Sequence, residues 1–218
     1  MTRSLRPKDA ATLIILRDKR DVLLGSRSAN HLFMPHRYVF PGGGVDSGDA
    51  RVACPHPLKP VVSKQLERGC SPARARALAM TAVRETFEET GLLLGETSQV
   101  PVRSRSPSWQ PFFDRGVAPA LHHLTYFARA ITPPNRVRRF DARFFLVDSK
   151  HLSGTVKSNG ELEDLRWVPL ESVDQYPLAS ITQLVLDLLS RRLRGDPQPP
   201  SAIPLYRQLH GQELIEHH

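Results

Sequence analysis

The sequence predicts an α/β fold in which a sheet is flanked by helices. Three observations support this class: an apolar hairpin pattern near the start, a capped helix at 72–90, and further strands followed by an amphipathic helix near the end. This order of elements is typical of a two- or three-layer domain built around one sheet.

The first elements are two short apolar runs separated by charged residues. Residues 10–16 are predicted as a buried strand, 17–21 as a turn and 22–24 as the returning strand. Residues 40–44 read FPGGG, and these glycines would let the backbone approach a ligand or side chain closely. The hairpin and the glycine loop therefore come before the central helix in the chain.

The central helix is predicted to begin at Ser71 and to stop at Gly91, because serine is a favoured N-cap, Pro72 suits the first helical position and glycine favours a helix end. Three carboxylates occupy its last two turns and span an arc of roughly 100°: Glu85, Glu88 and Glu89. Apolar residues occupy the opposite side: Ala79, Met80, Val83 and Phe87. The helix thus has an apolar face and an acidic face.

The acidic face is costly without a counterion. Glu85 and Glu89 form a like-charge i,i+4 pair, and Glu88 and Glu89 lie at the negative end of the helix dipole. A bound cation would make both interactions favourable. Because the ligands are oxygens, the sequence predicts Mg²⁺ or Mn²⁺ rather than zinc at this face.

The second half of the chain supplies the remaining strands and a helix. Residues 124–131, 142–147 and 165–168 are predicted as strands, and an apolar repeat predicts a helix that ends near Gly195. The repeat consists of Ile181, Leu184, Val185, Leu188 and Leu189. Three aromatic residues at 109, 112 and 113 could stack on a base, although packing beneath a loop is the more frequent role.

Length and charge limit the functional classes. A chain of 218 residues fits one domain, 1–218, and the net charge of +8 favours polyanionic partners: nucleic acid, an acidic membrane surface or small phosphorylated substrates. Cys54 and Cys70 are expected to be free thiols in a reducing compartment. No apolar run suggests a leader or membrane span, so a cytoplasmic location is expected, and a homodimer is compatible with the sequence.

Two segments have no clear periodicity. Residues 50–71 are interpreted as an inserted surface loop near the active-site mouth, with a short helix near 61–66. A proline-rich tail that begins at about residue 196 is expected to be extended, and the final Glu-His-His is given no role.

The stretch from the glycine loop to Leu92 resembles the signature motif of the Nudix hydrolases. Its second half matches at Arg84, Glu85, Glu88, Glu89, Gly91 and Leu92, and Gly43 matches the first glycine. The upstream glutamate position holds Asp49, so the role of Asp49 is left open. Residue 86 is threonine where the motif has an aliphatic residue, and the spacer 50–83 is longer than usual.

The resemblance implies a Nudix α/β/α sandwich with a mixed sheet and a metal-dependent pyrophosphohydrolase. The substrate would be a nucleoside diphosphate linked to another group. The metal ligands would be Glu85, Glu88, Glu89 and the Gly43 carbonyl. Arg84 would orient Glu85, and Glu161 would be the candidate general base, with Glu163 a weaker candidate.

The long spacer resembles the branch related to peroxisomal coenzyme A diphosphatases. The spacing from the LLGSRS run at 23–28 to FPGG at 40–43 partly matches the motif of coenzyme A-cleaving members, with Gly25, Leu32 and His36 at positions that usually hold other residues. Coenzyme A or an acyl derivative is therefore the expected substrate. Arg27, Arg138 and Arg139 are candidate phosphate-binding residues, although arginine clusters are often merely solvated.

Two other functions remain open. One is a housecleaning pyrophosphatase acting on nucleotide sugars, NADH, ADP-ribose or RNA 5′ ends, which the basic charge would suit. The other is a non-catalytic sensor that binds a nucleotide ligand. The intact Glu85, Glu88 and Glu89 disfavour a sensor, and RNA binding would predict an affinity that falls steeply with salt.

Overall fold

The structure is a computed structural model that describes residues 6–29, 34–99, 104, 106–134, 136–196, 203–209 and 212–217. Its strands are β1 Lys8–Arg17, β2 Asp21–Arg27, β3 Tyr38–Val39, β4 Gly42–Gly44, β5 Gly95–Glu96, β6 Ala118–Pro119, β7 Thr125–Ile131, β8 Phe140–Asp148, β9 Leu162–Pro169, β10 Pro204–Leu209 and β11 Gln212–His217. Its α-helices are α1 Pro60–Glu67, α2 Pro72–Thr90, α3 Gln110–Phe113 and α4 Ser180–Arg194. Short 3₁₀ turns cover Leu121–His123, Ser149–His151 and Leu170–Gln175.

Strand β1 lies at the centre of a mixed sheet. Within the described ranges nine strands join this sheet, with the order β11-β10-β7-β8-β1-β2-β3, while β4 pairs with β1 and β9 pairs with β2. The β1–β8 pair is parallel, whereas β1 runs antiparallel to β2 and β4. The predicted first hairpin and mixed sheet are therefore confirmed.

The two faces of β1 belong to two different cores. Leu13 and Ile15 pack with side chains of α1, α2 and α3, whereas Ile14 and Leu16 pack with side chains of α4. Successive residues of a strand point to opposite faces, so a continuous apolar run is suited to a sheet covered on both sides. The predicted α/β/α sandwich is confirmed.

Helix α2 has the predicted ends. The Ser71 hydroxyl accepts a hydrogen bond from the Arg74 backbone N–H at 3.4 Å, and Pro72 occupies the first turn. Gly91 ends the helix in the left-handed conformation, with φ of 71°, which a side chain would disfavour. These caps place the three glutamates in the last two turns of α2.

The segment 50–71 is more than a surface loop, which corrects the expectation from the sequence. Its short helix is α1, close to the predicted position, but Val52, Leu58, Val62 and Leu66 are buried in the core beneath α2. Arg76 of α2 also donates a hydrogen bond of 2.8 Å to the Val52 carbonyl. The segment therefore contributes to the main core.

The C-terminal segment also differs from the expected extended tail. Strands β10 and β11 form an antiparallel pair, and β10 pairs in parallel with β7 at the edge of the sheet. Residues 197–202 of the proline-rich stretch lie outside the described residues. Glu216 and His217 of the final Glu-His-His are the last two residues of β11.

The structure also shows the state of the cysteines and of the aromatic residues. Cys54 and Cys70 are both free. The three aromatic residues pack rather than face solvent, since Trp109 and Phe112 are fully buried and Phe113 nearly so. Among the described residues, no helix has the length and apolar character needed to cross a membrane.

Candidate active site

The site forms where the end of α2 crosses the glycine strand β4. Gly42, Gly43 and Gly44 pair with residues 10–12 of β1, which fixes the strand beside α2. A Cβ atom added at Gly43 would lie 2.5 Å from the carboxyl carbon of Glu85. Only glycine allows this approach, so the FPGGG sequence brings the backbone against the first glutamate.

Arg84 connects the helix to this loop and to the other acidic groups. It is only 4% exposed, and its Nη1 donates to Glu85 Oε1 and to Glu88 Oε2, each at 2.9 Å. Its Nη2 donates to the Gly44 carbonyl at 3.1 Å. The planar guanidinium therefore fixes two of the three glutamates and the loop at once.

Asp49 is the buried counterion of Arg84. It is 0% exposed and receives hydrogen bonds from Arg84 Nε at 2.8 Å and Nη2 at 3.0 Å. Thr81 Oγ1 and Trp109 Nε1 donate to the same carboxylate, at 2.7 and 2.8 Å. Burial acts to raise the pKa of Asp49, but the Arg84 guanidinium outweighs it and the pKa lies below its ordinary value. In this structure Asp49 therefore holds the Arg84 guanidinium in place.

The three glutamates lie in a setting that disfavours their charge. Burial raises the pKa of Glu85 to about 7, against the opposing effect of Arg84, and also raises the pKa of Glu88. The pKa of Glu89 is raised well above its ordinary value, chiefly by burial and then by the charge of Glu85. Glu89 Oε2 still accepts a hydrogen bond from the Gly42 N–H at 2.8 Å. A nearby positive charge would favour all three ionised forms.

The chemistry of these carboxylate donors suits a divalent oxygen-ligated ion such as Mg²⁺ or Mn²⁺. Three carboxylates are present within two helical turns, and burial, together with neighbouring carboxylates, raises their pKa values in the protein alone. Hard cations prefer carboxylate and carbonyl oxygens, and such an ion would supply the charge that the site lacks. The Gly43 backbone lies against Glu85, as the predicted ligand set requires.

Arg27 and Glu161 act electrostatically on the α2 glutamates. Arg27 ends β2 and pairs with Leu162 of β9, and the Ser28 N–H donates to the Glu161 carbonyl at 3.2 Å. The charge of Glu161 acts to raise the pKa values of the three α2 glutamates, and Arg27 acts to lower that of Glu89. Arg27 and Glu161 are therefore close enough to the α2 glutamates to affect their charge, and their roles stay predictions.

Arg138 and Arg139 lie in the loop between β7 and β8. Arg138 is exposed, while Arg139 Nε donates to the Thr132 carbonyl within the same loop at 3.0 Å. The charged groups that most affect Glu89 are instead Glu85, Arg27 and Glu161. Phosphate binding by Arg138 and Arg139 stays a prediction.

Sequence reasoning missed the roles of Thr81 and Trp109 in this site. The sequence analysis gives Thr81 no role and considers Trp109 only for stacking or packing, whereas each side chain donates to the Asp49 carboxylate. A buried indole N–H usually has a hydrogen-bond acceptor, so the expected packing of Trp109 beneath a loop is the signal that indicates a polar partner. Its identity could not be predicted because Asp49 is remote in sequence.

Replacing Gly43 with alanine is expected to displace Glu85. The new methyl group would overlap the flexible carboxylate end of Glu85, so the side chain would move rather than the fold. We expect kcat/KM to fall by about 100-fold with little change in Tm, because small displacements of reacting groups are costly. Gly44→Ala is the matched control, since its Cβ would come no closer than 3.9 Å to other atoms. Equal losses in both variants would contradict the role of Gly43.

Metal-free protein is expected to lose stability as pH rises from about 4.5 to about 7. The folded state holds the Glu85 proton up to a pKa of about 7, whereas the unfolded chain releases it near the ordinary value of 4.5. The folded state therefore binds more protons in this window, and its free energy of unfolding falls as pH increases. Added Mg²⁺ should restore stability at pH 8.

The measurement is Tm against pH in the presence of a chelator, for wild type and for Glu85→Gln. The difference between the two curves isolates the carboxylate, because His122, whose pKa is lowered by burial, acts with the opposite sign in both proteins. We expect a flatter curve for Glu85→Gln. Parallel curves would mean that Glu85 is ionised in the folded metal-free protein.

Comparison with known families agrees with this geometry. The profile of the NUDIX domain matches residues 74–189, which is more than half of the chain. The chain is 26% identical over 207 residues to the acyl-coenzyme A diphosphatase NUDT19 of Xenopus laevis, covering 72% of this chain and 54% of that protein. The chain spans about half the length of the curated relatives it matches.

Solved structures show the same fold. A NUDIX hydrolase from Alicyclobacillus acidocaldarius is 27% identical, with a TM-score of 0.65, and the match covers 86% of this chain and 93% of that one. A MutT NUDIX hydrolase from Burkholderia pseudomallei is 20% identical, with a TM-score of 0.50 and coverage of 84% and 98%. The second similarity concerns the fold alone.

Proposed function

Since this chain belongs to the NUDIX domain family, we propose that it is a pyrophosphohydrolase that cleaves a nucleoside diphosphate linked to another group, with coenzyme A or a short acyl-coenzyme A as its substrate. The observation that carries the hydrolase proposal is the group of three α2 glutamates beside the glycine strand, two of which are held by Arg84. The coenzyme A proposal is supported by the similarity of the chain to the Xenopus acyl-coenzyme A diphosphatase and by the partial motif at 23–43. Leu32 of that motif lies outside the described residues.

In this proposal the α2 glutamates and the Gly43 carbonyl hold Mg²⁺ or Mn²⁺. The ion, when bound, supplies charge neutralisation for the pyrophosphate oxygens and lowers the barrier to attack at phosphorus. Arg84 holds Glu85 and Glu88 through its Nη1 atom, and Asp49 holds Arg84 in turn. The protein thereby provides a fixed site before substrate binds, which reduces the reorganisation needed during reaction.

Two further side chains have separate roles. Glu161 is exposed at the site and would accept a proton from the attacking water at its carboxylate. Arg27, whose charge acts on Glu89 and Glu161, would contact the phosphate of the substrate and balance the acidic group. Both roles require that the side chains lie near the glutamates, and the mutual electrostatic effects support that position.

The experiment is a substrate panel with Mg²⁺ or Mn²⁺, with products identified by mass spectrometry. The panel contains coenzyme A, dephospho-coenzyme A, NADH and ADP-ribose, and Glu89→Gln is the inactive control. We expect coenzyme A to give 3′-phospho-AMP and a phosphopantetheine product at the highest kcat/KM. Much faster turnover of ADP-ribose or NADH would overturn the coenzyme A proposal and leave the hydrolase proposal intact. Binding without turnover of any compound would favour the sensor.

If Arg138 or Arg139 binds the 3′-phosphate, its substitution should reduce the preference of the enzyme for coenzyme A over dephospho-coenzyme A. That phosphate adds about two negative charges at neutral pH, so an arginine that contacts it favours coenzyme A over dephospho-coenzyme A. We expect Arg138→Gln or Arg139→Gln to reduce this preference by about tenfold, and Arg27→Gln to weaken both substrates. Arg136→Gln, an exposed residue of the same loop, is the control. An unchanged preference in both variants would exclude these two arginines as the 3′-phosphate site.

A further inference from the structure

A second group of ligating side chains shares no residue with the α2 carboxylates. One ligand atom from each of His56, Glu96 and His122 lies within 4.8 Å of the other two. His122 Nε2 is 3.3 Å from Glu96 Oε1, and His123 Nε2 is 2.6 Å from the same oxygen. Two imidazoles and a carboxylate therefore converge on one small volume.

The three side chains come from three segments that the backbone holds together. His56 belongs to the 50–71 segment, Glu96 to β5 and His122 to the 3₁₀ turn after β6. The Leu121 N–H donates to the His56 carbonyl at 2.9 Å, and β5 pairs with β6. Such a frame positions the ligands before any ion arrives, so binding would require little ordering of the chain.

The donor atoms indicate which ion would fit. Imidazole nitrogen and carboxylate oxygen together are typical zinc ligands, whereas Mg²⁺ is usually held by oxygens alone. Three protein ligands leave a fourth position of a tetrahedral ion open to water. The Glu96 and His122 side chains are 41% and 33% exposed, so an ion can reach them from solvent.

His123 has a supporting position beside this group. His123, which belongs to the 3₁₀ turn, contacts Glu96 Oε1 and so restrains the carboxylate. The His123 ring also stacks on the His151 ring at a centroid distance of 3.7 Å. Partners that orient a ligating group raise metal affinity. The His123–His151 pair therefore restrains the carboxylate that His56 and His122 approach.

We propose that His56, Glu96 and His122 bind a divalent transition metal ion of the zinc class, which fastens the 50–71 segment to the β5–β6 pair. Glu96 and His122, which now contact each other, would each bind the ion instead, and His56 would be the third ligand. Its effect would be structural, because it joins segments that already pack on the core near α2. This proposal is independent of the hydrolase activity.

The test is a Zn²⁺ titration of the full chain by calorimetry in millimolar Mg²⁺, which occupies the α2 carboxylates. We expect one Zn²⁺ per chain and a rise in Tm of about 5 °C at a Zn²⁺ concentration of 100 Kd. Co²⁺ added in place of Zn²⁺ should give the visible absorption of a nitrogen- and oxygen-ligated four-coordinate ion. Neither readout depends on turnover.

Substitutions locate the ion. His56→Gln, Glu96→Gln and His122→Gln are each expected to weaken Zn²⁺ binding by at least about tenfold and to remove the rise in Tm. His36→Asn is the matched control, because His36 is exposed and Asn tolerates its φ of 58°. The double change His217→Ala and His218→Ala, which removes the histidines at the C-terminal end, should also leave binding unchanged.

Three results would overturn the proposal. One is the absence of Zn²⁺ binding by the wild-type chain in excess Mg²⁺, which would make the group an ordinary ion pair of Glu96 with its histidines. Another is unchanged Zn²⁺ affinity in all three glutamine variants. The third is loss of binding in the C-terminal double variant, which would place the ion at that end of the chain instead.

Discussion

Glu89→Gln is expected to lower turnover by at least about 1000-fold while raising the stability of the metal-free protein. Glu89 is 6% exposed, and burial together with the Glu85 charge disfavours its ionised form. In the wild-type structure the Gly42 N–H donates a hydrogen bond of 2.8 Å to Glu89 Oε2. Glutamine removes the charge and keeps an oxygen that can accept this hydrogen bond. The same change deletes a proposed metal ligand, so stability and activity should move in opposite directions.

The measurement combines kcat/KM with Tm in a chelating buffer at pH 8. Glu67→Gln is the control, because Glu67 is exposed at the end of α1 and its substitution should leave both quantities unchanged. A second readout is the Mg²⁺-dependent rise in Tm, which should be present in wild type and much smaller in Glu89→Gln. Wild-type activity in Glu89→Gln would contradict the metal assignment.

Asp49→Asn is expected to lower the free energy of unfolding by about 3–5 kcal/mol, because removal of one partner leaves the buried Arg84 charge uncompensated. The two arginine hydrogen bonds to Asp49 measure 2.8 and 3.0 Å, and both residues are buried. Turnover should also fall, since Arg84 loses the contact that holds it against Glu85 and Glu88. This effect is opposite in sign to the stability effect of Glu89→Gln.

Denaturant unfolding of Asp49→Asn measures this loss, with the exposed Asp114→Asn as the control. Mg²⁺ affinity of the folded variant should fall much less than in Glu89→Gln, because Asp49 acts through Arg84. Unchanged stability together with a large loss of Mg²⁺ affinity would show instead that Asp49 is a metal ligand.

The parts of the site that the sequence predicted correctly are local in the chain. Ser71, Pro72 and Gly91 fix the ends of α2 through bonds and backbone angles within a few residues. That Glu85, Glu88 and Glu89 share one face of α2 then follows from helical geometry alone. The family motif added Gly43, which reaches Glu85 through the pairing of β4 with β1.

The parts that could not be predicted depend on contacts between distant segments. Asp49 lies 35 residues before Arg84, and Trp109 lies 60 residues after Asp49, so no periodic pattern links them. The sequence does not indicate that Val52, Leu58, Val62 and Leu66 are buried, because the apolar residues of 50–71 are spaced irregularly among prolines and charges. Strands β10 and β11 are not predicted for a similar reason. They follow a proline-rich segment, and β10 pairs with β7, which is distant in the sequence.

The central claim is that the α2 carboxylates, held by Arg84 and Asp49, bind a divalent ion that hydrolysis requires. A titration with Mn²⁺ followed by electron paramagnetic resonance tests it most directly, in wild type, Glu89→Gln and His56→Gln. We predict that Glu89→Gln weakens Mn²⁺ binding by at least about tenfold, in parallel with its loss of turnover, whereas His56→Gln binds Mn²⁺ as wild type does. Equal Mn²⁺ affinity in wild type and Glu89→Gln would contradict the account.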